Sequence, residues 1–316
     1  MDNIASLFKL DEVSIFSHIY PDGDTIGSQL ALAEALNQVG VQVHCYNTMK
    51  VPENFSFLKN INWIDKFDRE EVLSTNLCFV DCGDFSRTGL LDSLVADKII
   101  FNIDHHKSNS LFGKYNLVSE FSSSTCELIY EVLEKNNIRI TESIATALLL
   151  GISTDTGSFK YENTTSKTHQ IASKLIGFGA DTKMIRLNVF ENVSMGKFKL
   201  LSYVYSNTKI LFNGKVSFLS IPKFIEEGLS ILDSDYTGIS GLIKEIEGVE
   251  VSVLLRSVSS NQTKISFRSK DQIDVSKLAE SFGGGGHARA AGAISQFNIQ
   301  ETERYIMNML GTFIDL

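Results

Sequence analysis

The chain has 316 residues, of which 43% are hydrophobic and 21% are charged, a composition typical of a soluble globular protein with material for two domains. Its 29 basic and 38 acidic residues give a net charge of −9, which argues against a protein that coats long nucleic acid but permits a small phosphate ligand in a local basic pocket. No apolar run reaches about 18 residues, so we expect no membrane span.

The first residues and the cysteines predict the cellular location. Met1 to Ile4 lack the basic stretch and the apolar core of a signal peptide. The cysteines form no CxxC pair, and they are Cys45, Cys78, Cys82 and Cys126. We therefore expect reduced thiols and a cytoplasmic protein.

The first part of the chain alternates between strand and helix patterns. The predicted strands are Ser14–Ser17, Gln42–Tyr46 and the apolar runs that end at Val80 and Ile103. The predicted helices are Ile26–Val39, Arg87–Val95, Thr125–Lys135, Ser143–Gly151 and Thr168–Gly177. This alternation predicts an α/β fold, in which a parallel sheet carries helices on both faces.

The pattern changes near residue 190, where a polar, glycine-containing stretch predicts a linker. We place a first domain at 1–190, the linker at 191–204 and a second domain at 205–316. Asn213-Gly214 predicts a hairpin turn in the second domain. The elements predicted there are strands at Ser206–Phe212, Lys215–Ile221, Glu250–Ser257 and Thr263–Arg268, and helices at Val275–Phe282 and Gln300–Phe313. This domain is predicted to be a smaller α/β unit.

Aspartates and histidines recur in four blocks. The blocks are His18-x-x-x-Asp22-x-Asp24, Asp81-Cys-Gly-Asp84, Asp104-His105-His106 and Thr154-Asp155-Thr156-Gly157. The first three blocks follow predicted strands, and ligands bind outside the carboxyl ends of strands in open α/β sheets, so we expect these blocks to converge. Carboxylate and imidazole ligands together suit divalent cations such as Mn²⁺.

Each block taken alone has a structural explanation. Pro21 to Asp24 could be a solvated turn, and Asp81 could cap a helix, although Asp84 is the better candidate for a cap. Asp155 follows the end of a predicted helix and cannot be placed by pattern. One histidine of the His105-His106 pair could simply pack or cap.

The blocks are more informative together. Four carboxylates, from Asp22, Asp24, Asp81 and Asp155, would balance the charge of two divalent cations, with the imidazoles of His18 and His105 as further ligands. Two metal ions about 3.5–4 Å apart lower the pKa of bound water from about 15.7 toward about 7 and clamp a reacting phosphoryl group. The combination predicts a metal-dependent hydrolase that uses activated hydroxide.

A second cluster lies near the carboxyl terminus. Four glycines, Gly283 to Gly286, would let backbone N–H groups converge on an anion, and a helix start after them would add a positive dipole end. The alternative is a flexible turn, and Arg256 is a weaker candidate that could pair with an acidic residue. The predicted phosphate-binding residues are Arg268, Ser269, Gly284, Gly285, Gly286, His287 and Arg289.

With these motifs the chain resembles the DHH/DHHA1 superfamily of phosphoesterases, and its length resembles that of the stand-alone nanoRNase/pAp phosphatases. The resemblance implies a cleft between two domains and two divalent metal ions, with Mn²⁺ the expected ion. One metal would be held by His18, Asp22 and Asp81, and the other by Asp24, Asp81, His105 and Asp155, with Asp81 bridging. His106 would orient or protonate an oxygen of the scissile phosphate, while the roles of Asp84 and Asp104 stay open.

The implied substrates are short oligoribonucleotides and small phosphorylated nucleotides, from which the enzyme would remove the 3′-phosphate of adenosine 3′,5′-bisphosphate. An alternative is a phosphodiesterase of cyclic di-AMP or linear pApA, and a further alternative is a non-catalytic nucleotide- or RNA-binding module. We expect the protein neither to bind a membrane nor to track along long nucleic acid. Substrate preference, RNA versus DNA, cleavage polarity and a homodimer stay open.

Overall fold

The structure, a computed structural model, describes residues 3–68 and 73–313. Contacts between residues divide the chain into two units, Met1–Asn192 and Val193–Leu316. Helix α6, Met195–Asn207, occupies most of the segment 191–204 that was predicted as a linker. None of the helices in the described ranges combines the length and the apolar character that crossing a bilayer would need.

Six parallel strands form the sheet of the first unit. They are β1 Glu12–Phe16, β2 Gln42–Asn47, β3 Ile64–Lys66, β4 Asn76–Val80, β5 Ile99–Asp104 and β6 Tyr115–Val118. Their spatial order is β3-β2-β1-β4-β5-β6. The direction of strand addition reverses between β1 and β4, so this pair marks the switch point where open α/β sheets bind ligands.

The helices of the first unit cover one face of this sheet. They are α1 Gly23–Gln38, α2 Thr125–Lys135, α3 Glu142–Asp155, α4 Ser166–Gly177 and α5 Thr182–Ile185. Val13 and Ile15 of β1 point into the same apolar core as Ile26, Leu148 and Ile171 of these helices. Parallel strands buried in this way read as nearly continuous apolar runs, which is why β1, β4 and β5 could be predicted.

The opposite face of the sheet differs from the prediction. In the described ranges its core consists of Phe16, Phe79 and other apolar side chains covered by loops and 3₁₀ turns. The helix predicted at Arg87–Val95 is wrong, because two 3₁₀ segments, Phe85–Thr88 and Asp92–Leu94, occupy this stretch. Gly89 separates them with a φ of 75°, a left-handed conformation that a right-handed helix cannot continue through.

Two helix ends carry candidate ligands beyond their predicted limits. Helix α1 begins at Gly23, because the carboxylate of Asp22 accepts a hydrogen bond from the amide of Thr25 and caps the helix. Helix α3 continues to Asp155, and the hydroxyl of Thr154 in its last turn donates to the carbonyl of Leu150.

The second unit contains a mixed six-stranded sheet in the order β11-β12-β10-β9-β8-β7. Its strands are β7 Lys209–Leu211, β8 Val216–Ile221, β9 Val251–Ser259, β10 Gln262–Ser269, β11 Gly285–His287 and β12 Ala290–Ser295. The helices that follow α6 are α7 Lys223–Leu229, α8 Ile239–Lys244, α9 Val275–Glu280 and α10 Ile299–Phe313. Strands β7 and β8 form the predicted hairpin, and β9 and β10 pair antiparallel. The four cysteines, all in the first unit, are buried with free thiols.

Candidate metal centre

The first three blocks of aspartate and histidine lie at the carboxyl ends of β1, β4 and β5. His18 lies two residues after β1, Asp81 directly follows β4, and His105 directly follows β5. Strands β1 and β4 are the neighbours at the switch point. Asp81 has a φ of 54°, and its amide donates a hydrogen bond to the carbonyl of Ile103 at 2.9 Å. A left-handed conformation at a non-glycine residue is strained, and such strain concentrates at functional sites.

Asp24 is held differently from the sequence expectation, which placed it in a turn. It lies in the first turn of α1 and is buried. Its two carboxylate oxygens accept hydrogen bonds from the amides of Thr125, at 2.7 Å, and Cys126, at 2.9 Å, at the start of α2. Two amide donors and the positive end of the α2 dipole therefore fix the orientation of this carboxylate.

The predicted ligands form groups whose donor atoms all lie within 4.8 Å of one another. The groups are His18, Asp22 and Asp81; Asp24, His105 and Asp155; and Asp81, His105 and His106. Asp81 lies between two histidines: its Oδ2 is 3.5 Å from His18 Nε2, and its Oδ1 is 3.8 Å from His105 Nε2. His105 Nε2 is also 3.4 Å from Asp155 Oδ2. All six predicted metal ligands therefore lie in one cluster.

The charges of this cluster test whether it suits a cation. Burial, together with the negative charges of Asp81 and Asp155, holds the pKa of Asp24 well above its usual range. Burial and the charges of Asp81 and Asp22 raise the pKa of Asp155 to about 8. Burial alone would also raise the pKa of Asp81, but the surrounding histidines outweigh burial and lower it. Divalent cations among these oxygen and nitrogen donors would relieve the repulsion, so the donor set fits such ions.

His106 has a partner that sequence reasoning left open. Its Nδ1 lies 2.7 Å from Oδ1 of Asp104, which is fully buried at the end of β5. The other oxygen of Asp104 accepts a hydrogen bond from the side-chain amide of Asn109 at 2.6 Å. Burial disfavours the charged imidazole, but the hydrogen bond to Asp104 and the charge of Asp81 outweigh burial and raise the pKa of His106 to about 9. Asp84, by contrast, accepts from the amide of Ser86 and caps a 3₁₀ turn.

Two threonines at the centre were missed by sequence reasoning. The hydroxyl of Thr25 lies 2.7 Å from Asp22 Oδ1 and 3.1 Å from Asp81 Oδ2, and the hydroxyl of Thr125 lies 3.2 Å from Asp81 Oδ1. The three-residue spacing from Asp22 to Thr25 fits a helix cap and could have identified Thr25. The role of Thr125 depends on a contact with Asp81, which is 44 residues away in sequence and leaves no local signal.

The residues predicted to bind phosphate in the second unit separate into two sets. Arg268, Gly284 and Gly285 line an open groove of about 880 Å³. The groove lies on the face of β10 that carries Lys264, Ser266 and Arg268, because alternate residues of a strand point to opposite faces.

The second set lies outside this groove. Ser269 faces the core, where its hydroxyl donates to the carbonyl of Ala288. Arg289 donates to the carbonyl of Ile273 at 3.0 Å, and His287 is exposed on β11. Arg256, the weaker candidate, forms an ion pair with Glu226 at 3.0 Å.

The glycine run does not precede a helix as predicted. Gly285 and Gly286 belong to β11, which pairs with β12, so no helix dipole contributes there. A Cβ at Gly284 would lie 2.2 Å from the carbonyl oxygen of Gly292, and one at Gly286 would lie 2.5 Å from that of Ala290. These glycines therefore permit close approach of β12, in addition to any contact with an anion.

Comparisons with known proteins agree with this arrangement. Residues 12–152 match the DHH family, N-terminal domain, and residues 224–305 match the DHHA1 domain. A bifunctional oligoribonuclease and PAP phosphatase of Thermus thermophilus is 32% identical, over 92% of this chain and 86% of the relative. A crystal structure of an exopolyphosphatase-related protein from Bacteroides fragilis has a TM-score of 0.91 at 26% identity, over 99% of this chain and 95% of that one. A cyclic-di-AMP phosphodiesterase of Listeria monocytogenes is 26% identical, over 96% of this chain but 48% of the relative.

The fold, the cluster of carboxylates and imidazoles and these matches define a hydrolase of the phosphoesterase class. The chain belongs to the DHH family, and its DHH domain is followed by a DHHA1 domain. The non-catalytic alternative is therefore set aside.

Proposed function

We propose that the chain hydrolyses short oligoribonucleotides and removes the 3′-phosphate of adenosine 3′,5′-bisphosphate, with two divalent metal ions, expected to be Mn²⁺. The observation that carries the proposal is the position of Asp81, which presents one oxygen to His18 and the other to His105. A carboxylate placed in this way can serve two ions at once. The name of the relative from Thermus thermophilus, an oligoribonuclease and PAP phosphatase, supports the substrate class.

The proposed ligands follow the two groups that do not include His106. His18 and Asp22 would hold one ion, and Asp24, His105 and Asp155 the other, with Asp81 shared between them. Bound there, the ions would supply an activated water and neutralise charge on a phosphoryl group. The hydroxyls of Thr25 and Thr125 hold Asp81 in place, and the α2 amides hold Asp24, so the ligands are oriented before any ion binds.

His106 is proposed to act on the substrate rather than as a ligand. Its Nδ1 is engaged by Asp104 at 2.7 Å, so an ion at that nitrogen would have to displace the carboxylate. With Nδ1 held, the Nε2–H of a protonated His106 can donate to a phosphate oxygen or to the leaving oxygen. The hydrogen bond to Asp104 favours this protonated form.

Arg268 is proposed to bind a substrate phosphate in the groove of the second unit. Its side chain is half-buried on the open face of β10, beside backbone that lacks side chains at Gly284 and Gly285. A guanidinium can pair with a phosphate through two parallel hydrogen bonds. The functional roles of the two domains, 1–190 for metal binding and 205–316 for substrate binding, are part of the same proposal.

Cleavage of cyclic di-AMP or linear pApA has weaker support. The phosphodiesterase relative of Listeria monocytogenes is about twice as long as the region that this chain covers. Cyclic di-AMP also presents no terminal phosphate for the groove, whereas pApA does.

The proposal is tested by offering the purified protein with Mn²⁺ a 5′-labelled RNA dinucleotide, an RNA 24-mer, adenosine 3′,5′-bisphosphate and cyclic di-AMP in parallel. We expect a much higher kcat/KM on the dinucleotide than on the 24-mer, together with release of phosphate from the bisphosphate. The Asp81→Ala variant, purified in the same way, controls for contaminating nucleases. Equal kcat/KM on the dinucleotide and the 24-mer would contradict the proposed preference for short substrates.

A further inference from the structure

Two exposed aromatic side chains lie on loops next to the candidate metal centre. Phe121, between β6 and α2, is 84% exposed, and Tyr161, six residues after Asp155, is 59% exposed. Water contact at such rings is unfavourable, at about 25 cal/mol for each Å² of apolar surface.

The loop of Phe121 is fixed to the metal centre on both sides. Glu120 forms an ion pair with Lys107 at 3.4 Å, and Lys107 directly follows His106. The amide of Ser119 donates to the carbonyl of Asp104 at 3.1 Å. Four residues after Phe121, the amide of Thr125 donates to Asp24. The exposed ring therefore lies on a loop that contacts both the His106 side and the Asp24 side of the centre.

Tyr161 is held by the loop that follows α3. Its amide donates to the carbonyl of Thr156 at 3.0 Å, and its ring lies against Gly157. Gly157 has a φ of 56°, and a Cβ there would lie 2.4 Å from the ring, so this packing requires glycine. The backbone supports one part of the ring and leaves the remainder exposed.

A single side chain joins the two loops. The amide nitrogen of Asn163 donates to the carbonyl of Ser123 at 2.8 Å and to the carbonyl of Asp155 at 3.2 Å. This side chain therefore connects the loop of Phe121 to Asp155, a candidate metal ligand that lies six residues before Tyr161. The loops that carry the two rings are therefore joined through Asn163.

We propose that Phe121 and Tyr161 form a platform on which nucleobases of the substrate stack, an inference that rests on the proposed function. Every nucleobase has a π-face, so aromatic side chains bind single-stranded nucleic acid with little sequence preference. The net charge of −9 gives the chain little capacity to hold additional nucleotides by their phosphates, so base stacking supplies an affinity that charge does not. The platform selects unpaired nucleotides over inorganic phosphate compounds.

The test compares an RNA dinucleotide with the same dinucleotide lacking both bases. Phe121→Ala and Tyr161→Leu are each expected to lower kcat/KM on the RNA dinucleotide by about five- to 150-fold, the range equivalent to 1–3 kcal/mol of stacking. Each is expected to leave kcat/KM on the abasic dinucleotide unchanged, and Phe121→Trp is expected to retain activity on both. The matched control is Phe224→Ala, which removes a 69%-exposed ring from α7 of the second unit.

The outcomes separate the two proposals. A wild-type protein that cleaves neither the RNA dinucleotide nor adenosine 3′,5′-bisphosphate overturns the proposed function and the platform with it. The wild type could be active while the aromatic variants keep the wild-type kcat/KM on the RNA dinucleotide, or lose the same factor in kcat/KM on the abasic dinucleotide. Either result overturns the platform alone. A loss confined to the substrate with bases, absent in Phe224→Ala, supports it.

Discussion

Replacing Asp104 by asparagine isolates the contribution of one buried carboxylate to the proposed chemistry. Asp104 is fully buried, and the hydrogen bonds of its carboxylate go to His106 and Asn109 rather than to the six proposed ligands. Asparagine has nearly the same shape and can still accept the hydrogen bond from Asn109. Its amide nitrogen would face Nδ1 of His106, which must then accept a hydrogen bond and therefore be neutral.

The size of the effect follows from the bond that is lost. A hydrogen bond to a charged group contributes about 1.5–3 kcal/mol. If His106 donates to the phosphoryl group as an imidazolium, Asp104→Asn should lower kcat by about 10- to 150-fold, since 1.36 kcal/mol corresponds to a factor of ten. KM and metal content should change little, because the ligands remain.

The pH profile distinguishes a positioning role from a merely structural one. Asp104 helps to raise the pKa of His106, so its loss lowers that pKa. Activity that requires protonated His106 falls as the pH rises through this pKa, and the alkaline limb of the profile should therefore move to lower pH in Asp104→Asn. Steady-state kinetics from pH 6 to 10, with melting temperatures for both proteins, provides the measurement.

The control is Asp84→Asn, which removes a carboxylate that caps the 3₁₀ turn at Phe85–Thr88. Its activity should stay within about twofold of wild type, as expected for a surface change. An Asp104→Asn protein that keeps wild-type kcat and an unchanged alkaline limb would refute the proposed role of His106 as a proton donor.

Two further substitutions test the assignment of roles. His105→Ala should lose bound metal and activity, whereas His106→Ala should retain its metal and turn over slowly. Equal loss of metal in the two variants, measured by elemental analysis, would show that His106 is wrongly assigned as a residue that does not bind metal. Arg268→Ala should raise KM more than it lowers kcat, because a phosphate anchor acts similarly in the ground state and the transition state. A selective fall in kcat in initial-rate kinetics would instead place Arg268 at the reacting phosphate.

Much of the first unit could be predicted because its central strands are buried on both faces. Strands β1, β4 and β5 appear in the sequence as apolar runs, and the ligands follow directly where these runs end. The parallel arrangement then brings His18, Asp81 and His105 to one edge of the sheet. The loops over the second face of the sheet contain no periodic pattern, so their 3₁₀ turns could not be distinguished from a helix.

Long-range contacts account for most of what was missed at the site. The amides that orient Asp24 come from a helix about 100 residues later in the chain, and no local spacing encodes that contact. The position of Ser269 could have been inferred, because a strand predicted to contain Phe267 and Arg268 must turn Ser269 toward the same face as Phe267. The hairpin after Gly284 was missed because glycine runs carry almost no information on pairing.

The most direct test of the account is the number of metal ions that the active protein needs. The metal-free protein should be inactive, and titration with Mn²⁺ should restore hydrolysis of an RNA dinucleotide in parallel with the binding of two ions per chain, as determined by elemental analysis and calorimetry. Asp81→Ala, which removes the carboxylate between His18 and His105, should bind fewer ions and remain inactive at the same Mn²⁺ concentration. Full activity with no more than one ion bound per chain, or an active Asp81→Ala protein, would contradict the account.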